Sequence, residues 1–345
     1  MRIARRTVLT GLIAAPAIIA ARPGRAAAAR VLKIGHPYPG GTVGEGDFRD
    51  RLVRLFAQQV EKKTDGALAF EIHPGAAPGP GWISNANAPF AALRQGTLDL
   101  GLYPLADAGG EVPEFDIGLM PCLVASYQQG LAWKKAPIGT EVTKLLEDRG
   151  VKILTWIWQA GAIAARDDAV VAPADAKGLK IRGGGRAMDL MLKGAGGVAA
   201  PVPASGIHGA LKSGALDAAV TSSTSLISFG LTDVSKSLTS GRGRSFWYGL
   251  APLMMSKAAF DALPADQKTA ITEVGIEMEP FARTQAKLDD EQAAALYRQA
   301  NHPVAEIDPA TIEQWRGIAE ATAWRDFAAR GEDCARMLKL AASVA

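Results

Sequence analysis

Lys177-Gly178-Leu179-Lys180-Ile181-Arg182-Gly183-Gly184-Gly185 decides how this 345-residue chain is read. As a short strand it puts Leu179 and Ile181 on one face and Lys180 and Arg182 on the other, because side chains alternate with period two. The guanidinium of Arg182 is then aimed away from an apolar layer. Three glycines follow, where backbone or ligand can approach closely, and Arg186 to Lys193 has the spacing of a helix whose N-terminus faces the same spot. A planar cation with five donors beside a helix N-terminus suits a carboxylate. The same residues also suit an ordinary salt bridge at the end of a strand.

Working outward, the chain says one thing twice. Ala91-Ala92-Leu93-Arg94-Gln95-Gly96-Thr97-Leu98-Asp99-Leu100-Gly101-Leu102 lies over Gly209-Ala210-Leu211-Lys212-Ser213-Gly214-Ala215-Leu216-Asp217-Ala218-Ala219-Val220 at a separation of 118 residues. Each copy predicts a helix stopped by glycine and then an apolar strand, the sign of two similarly built lobes. Val31 to Ile34 and Leu68 to His73 alternate as strands on either side of an amphipathic helix, Phe48 to Lys63. The loop His36-Pro37-Tyr38-Pro39-Gly40-Gly41 follows the first strand, where open α/β sheets hold ligands, so His36 and Tyr38 are candidates. Val151 to Trp158, after a helix over Gly139 to Arg149, reads as a strand buried on both faces.

Ile157 to Gly161 is the expected first crossing between lobes, and Ser237 to Tyr248 the return. The expected division is therefore 30–158 with 242–280 as one lobe and 159–241 with 281–345 as the other. From Pro264 onward the pattern is helical, with a long helix over Gln267 to Gln299 that Pro280 should kink or split.

Residues 1–29 read as an export signal: basic residues, an apolar run of 14 residues from Val8 to Ala21, then alanines. Arg5-Arg6-Thr7-Val8-Leu9 has the form of a twin-arginine signal, and the run is too short to anchor the chain in a bilayer. Removing the five arginines of residues 1–28 takes the net charge from +3 to −2. The mature chain is thus not basic, and no cationic cluster with interleaved aromatics points to nucleic acid. The four histidines show no metal-ligand spacing, and neither a serine elbow, a phosphate-binding loop nor a dinucleotide fingerprint is present. No metal, cofactor or catalysis is expected. Cys122, inside the apolar run Leu119 to Leu123, is expected to be a buried free thiol.

These landmarks together resemble the extracytoplasmic solute-binding proteins of tripartite ATP-independent periplasmic (TRAP) transporters. The resemblance rests on Val31 to Ile34, Arg94 to Asp99, Pro113-Glu114-Phe115 before Met120-Pro121, Asp175 to Arg182, Pro201-Val202-Pro203 and Ala210 to Asp217. It implies an α/β, two-lobed clamp, each lobe a mixed sheet flanked by helices, with a long helix late in the chain bridging the lobes. It further implies a periplasmic receptor, monomer or dimer, that closes on a small organic acid and delivers it to a membrane-embedded permease. Arg182 falls where the family pairs an arginine with the ligand carboxylate. Spacing from Pro203 to Ala210 and the run to Leu231 is similar to the branch that binds 2-oxo acids, which points to a monocarboxylate with a 2-oxo, aromatic or apolar body. Gln159 resembles a site glutamine of that branch. Where it places a glutamate and a tryptophan beside a bound cation, this chain has Val220 and Thr221, so Thr221 joins the site and a bound sodium is not implied. The second arginine of dicarboxylate binders would fall near Ala162, with Arg166 as its replacement. Tyr38, Tyr103, Trp247 and Tyr248 complete the expected wall, each equally suited to core packing. A receptor for another transporter class, or for a signalling partner, would use the same clamp; a secreted enzyme is disfavoured because no catalytic constellation is visible.

Overall fold

The computed structural model describes residues 29–75 and 88–344. The expected export signal, apart from its last residue, and most of the loop expected over Pro74 to Gly81 lie outside these.

Twelve strands among the described residues form two sheets. In chain order they are β1 (Arg30–His36), β2 (Leu68–Pro74), β3 (Leu100–Leu102), β4 (Val151–Thr155), β5 (Trp158–Ala165), β6 (Lys180–Arg182), β7 (Val198–Ala199), β8 (Ala218–Ser222), β9 (Ser237–Ser240), β10 (Tyr248–Leu250), β11 (Leu253–Ser256) and β12 (Val304–Glu306). The first sheet runs β2-β1-β3-β11-β4, parallel except for β11. Leu32, Ile34, Leu100 and Leu102 bury their side chains under the helix Phe48–Lys63, which turns Leu52, Phe56 and Val60 inward. Asp47 caps that helix, accepting from the Arg49 backbone N–H at 2.9 Å. The second sheet runs β12-β9-β5-β8-β6-β7, and β10 pairs with the near end of β5.

The duplicated segment folds the same way in both sheets. The helices Ala88–Gln95 and Ile207–Ser213 end before Gly96 and Gly214, at φ +72° and +76°, a left-handed turn that favours glycine. Strands β3 and β8 follow, each parallel to a neighbour. The shared aspartate makes the same contact in each copy. Asp99 Oδ2 accepts from the Lys33 N–H at 2.8 Å, and Asp217 Oδ2 from the Lys180 N–H at 2.8 Å. Each aspartate therefore pins its strand beside the neighbouring one at the edge where the ladder begins.

The strand expected over Val151–Trp158 is two strands. At Trp156 the backbone N–H leaves the ladder and donates to Glu279 at 3.1 Å, while the Ile157 carbonyl accepts from Ala251 at 2.9 Å. Those contacts turn the chain out of the first sheet, so the first crossing is at Trp156–Ile157 and all of β5 belongs to the second sheet. The return lies between β10 and β11, at Ala251–Pro252, because β10 still pairs with β5 through Tyr248↔Ala160 and Leu250↔Trp158. The crossings thus lie side by side.

A 35-residue helix, Ala265–Gln299, braces both sheets. Its Gly275 carbonyl accepts from Thr155 of β4 at 2.8 Å, and further along Asp290 accepts from Tyr127 at 2.7 Å, whose hydroxyl accepts from the Ala160 N–H of β5 at 3.2 Å. The helix passes Pro280 without a break. Pro280 and Ile276, the residue whose carbonyl loses its helical donor, both face solvent, so that carbonyl is open to hydration. The final helix, Glu332–Ala342, returns to the side of the first sheet: Arg336 reaches Glu141 at 3.0 Å and Gln129 donates to the Val344 carbonyl at 2.7 Å. The expected grouping of 281–345 with the second lobe does not include that return. Cys122 and Cys334 are both buried and unbridged.

Candidate functional site

A cavity of about 860 Å³ opens between the two sheets. The return crossing borders it at Ala251, and Gln159, Thr221, Trp247 and Leu250 contribute to its wall.

Arg182 enters from the end of β6, and alternation acts as the spacing requires: Ile181 is fully buried and Arg182 half-buried beside the cavity. Nε donates to the Val202 carbonyl at 3.0 Å and Nη1 to the Val220 carbonyl at 2.9 Å, leaving the rest of the guanidinium's five-donor fork for a ligand. Its face lies on Gly184, where an added Cβ would come within 2.7 Å of Nη1. The glycine run is therefore the bed of the arginine. Burial pulls the guanidinium's pKa down, opposed by Asp107 and Asp189.

Facing Arg182 across the cavity are Tyr38, Tyr103 and Asp107, all from loops at the ends of first-sheet strands. The hydroxyls of Tyr38 and Tyr103 and the indole nitrogen of Trp247 are buried without a hydrogen-bond partner. Burial pushes the Asp107 carboxyl up to about 7 although Arg182 draws it down. Unpartnered donors on residues that line the cavity, together with an arginine that has donors to spare, suit an oxyanion.

Arg49 also borders the cavity but is committed. It forms an ion pair with Asp47 at 2.6 Å, donates to Gln159 at 3.2 Å and Ser225 at 3.1 Å, and stacks on the Tyr38 ring at 3.5 Å. Burial opposes charge on Asp47, yet Arg49 and Ser228 hold its carboxyl below the usual range. These bonds run from the first helix to Ser225 and Ser228 beyond β8, so they join elements of the two sheets.

Of the residues singled out from sequence, Arg182, Gln159, Thr221, Tyr38, Tyr103 and Trp247 share this cavity. Arg166 and Tyr248 do not line it. Arg166 follows the far end of β5, about 23 Å along the strand from Gln159 at 3.3 Å per residue. Its guanidinium lies instead by Gly214. Tyr248 follows Trp247, and alternation sends it to the opposite face, where it packs edge-on against Tyr127 with ring centroids 5.4 Å apart. His36 sits behind the wall, fully buried, with Nε2 3.1 Å from Asp50 and its ring stacked on Tyr38. Sequence reading missed Arg49 and Asp107. Arg49 carried a faint signal: a cation in the first turn of a helix opposes the helix dipole and calls for an anionic partner, which Asp47 is. Asp107, in a turn beside glycines, carried none. Among the described residues no group of three or more histidines, cysteines or acids could hold a metal ion, and no helix is long and apolar enough to cross a membrane.

Residues 40–330 match the model of the bacterial extracellular solute-binding protein family 7, DctP. A solute-binding protein of Albidiferax ferrireducens is 52% identical over 310 residues, 90% of each chain. The crystal structure of a TRAP periplasmic solute-binding protein from Rhodoferax ferrireducens, with bound malonate, superposes with a TM-score of 0.86 at 52% identity, covering 90% of this chain and 96% of that one. The pyroglutamic acid receptor DctP7 of Bordetella pertussis shares the fold at 20% identity, with a TM-score of 0.78 over 91% of this chain and 99% of its own. With its duplicated lobes, paired crossings and an arginine-floored cavity between two sheets, this chain belongs to the bacterial extracellular solute-binding protein family 7, the solute receptors of TRAP transporters.

Proposed function

We propose that this chain is a periplasmic receptor that captures a compact organic acid and delivers it to the permease of a TRAP transporter. The observation that carries the reading is Arg182, held by the Val202 and Val220 carbonyls with the remaining donors of its fork uncommitted. One ligand carboxylate takes that fork. The unpartnered donors of Tyr38, Tyr103 and Trp247 favour an acid with a second oxygen function close to the first. Malonate, bound in the 52% identical relative, has that form, and so does a 2-oxo acid. Two lobes divide at the paired crossings, and hinge closure about them excludes water from the charged contact, which strengthens it. Binding and release suffice for this role, without catalysis.

Native mass spectrometry of the purified protein identifies any retained acid, and calorimetry with malonate, pyruvate, succinate and benzoate ranks the class. Arg182→Ala should weaken the best of these by about 2–5 kcal/mol, the scale for removing one partner of a buried charged contact. Unchanged affinity in that variant removes Arg182 from the site, and no binding by any of the four defeats the reading.

A further inference from the structure

Asp107 stands in the cavity opposite Arg182, on the short turn Leu105–Ala108 that follows β3. An acid in the wall of an anion receptacle needs an explanation, since a second carboxylate beside it would be repelled. Among the described residues its carboxyl makes no hydrogen bond, while its backbone N–H is spent on the Pro104 carbonyl at 3.1 Å. The titratable and charged groups that surround it are few. Tyr38 faces it from the loop after β1, with Arg49 stacked behind and Asp47 beyond. Tyr103 faces it from the end of β3, with Glu111 also acting on that ring. Arg182 faces it from β6, with Asp189 also acting on the guanidinium. Arg186 and Lys193 border the same cavity from the following helix.

Without ligand, Arg182 is the counter-charge that favours an ionised Asp107. A bound acid takes the free edge of Arg182 for itself and adds a negative charge next to Asp107. Two carboxylates in one desolvated site cannot both stay ionised, whereas a neutral carboxyl can donate its proton to a ligand oxygen. Resting on the reading of this chain as an organic-acid receptor, we infer that Asp107 is a ligand-binding residue that meets the acid as a neutral carboxyl, so that the receptor takes up one proton with each acid it captures. Asp107 is already poised for this, because burial brings its carboxyl up to about 7 before any ligand arrives. The sign follows: above that pH the empty site is ionised and the filled site is not, so affinity falls as pH rises.

Calorimetry with malonate as probe, on the full mature chain between about pH 6 and 8.5 in two buffers of different ionisation enthalpy, tests it. The wild-type protein should take up close to one proton per malonate near pH 8 and almost none near pH 6, with affinity falling up to about tenfold per pH unit above about 7. Asp107→Asn should bind malonate with a flat pH profile and no uptake. Malonate binding by the wild type without proton uptake at pH 8 overturns the inference even if the variant does not fold. Wild-type uptake that persists in Asp107→Asn overturns it as well. The acid that binds best among malonate, pyruvate, succinate and benzoate serves as the probe if malonate does not bind, and failure of the wild type to bind any of the four at every pH counts against the organic-acid reading beneath it.

Discussion

Arg49 Nη1 donates to Gln159 Oε1 at 3.2 Å, tying the N-terminus of the first helix to the strand that carries the chain into the second sheet. With Asp47, Ser225 and Ser228 this contact forms a polar latch between elements of the two sheets. Arg49→Lys keeps the charge but loses the fork, since one ammonium cannot serve Asp47, Gln159 and Ser225 together. Its expected effect is a loss of ligand affinity of about tenfold, or about 1.4 kcal/mol, with the fold retained. Calorimetry beside a thermal melt checks this, and an unchanged affinity would show that the latch does not bias closure. Arg49→Ala is different in kind: it strands the buried Asp47 charge, at about 3–5 kcal/mol of stability. Because Asp47 is held below its usual range, that pair stabilises the fold above about pH 4 and is lost as pH falls further.

Gly184→Ala should abolish most ligand binding while leaving the protein folded. The added methyl would stand 2.7 Å from Arg182 Nη1, on a residue at φ +91°, where side chains are strained. The guanidinium must shift, and with it the donors left free for the carboxylate. Affinity close to that of Arg182→Ala, with a melting temperature a few degrees lower at most, is the expected pair of measurements.

Asp290, on the long helix, is buried and accepts from Tyr127, which in turn holds the Ala160 N–H at the crossing. Burial pushes its carboxyl up to about 7. The folded state therefore binds this proton more tightly than the unfolded chain does, and stability contributed by the neutral form is lost as pH rises from about 4 to about 7. Asp290→Asn keeps an acceptor for Tyr127 and removes the titration. The variant should melt higher than wild type at pH 8 and close to it at about pH 4, where the neutral form is present in both states; equal melting temperatures at both would exclude Asp290 as the titrating group.

Asp99 and Asp217, the duplicated aspartates, should cost about the same when removed. Each loses a charged acceptor for a strand N–H, about 1–2 kcal/mol when half-exposed. Their effects should add in the double variant, because the two sites lie in different sheets. Chemical denaturation of Asp99→Ala, Asp217→Ala and the pair measures this, and a clearly unequal cost would break the equivalence of the two copies.

Much of the frame was legible because it is local. Gly96 and Gly214 punctuate equivalent helices, and the alternation around Ile181 aims Arg182 at the cavity whatever surrounds it. Alternation also carried the information that Trp247 and Tyr248 cannot share one wall, although both were expected there. Arg166 is the opposite case: its type suits a carboxylate, but β5 carries it about 23 Å from Gln159.

The amino-acid sequence by itself determined the two similarly built lobes, the turns between their elements and the side of β6 on which Arg182 stands, since each depends on neighbours a few residues apart. Only the tertiary structure decided which charges face Arg182. Asp107, on the turn after β3, and Arg49, in the first turn of the first helix, border the cavity far along the chain from it, and nothing in local spacing specifies a partner across a cleft. Their protonation and pairing are set by desolvation and by distance in space, and both exist only once the two sheets enclose the cavity.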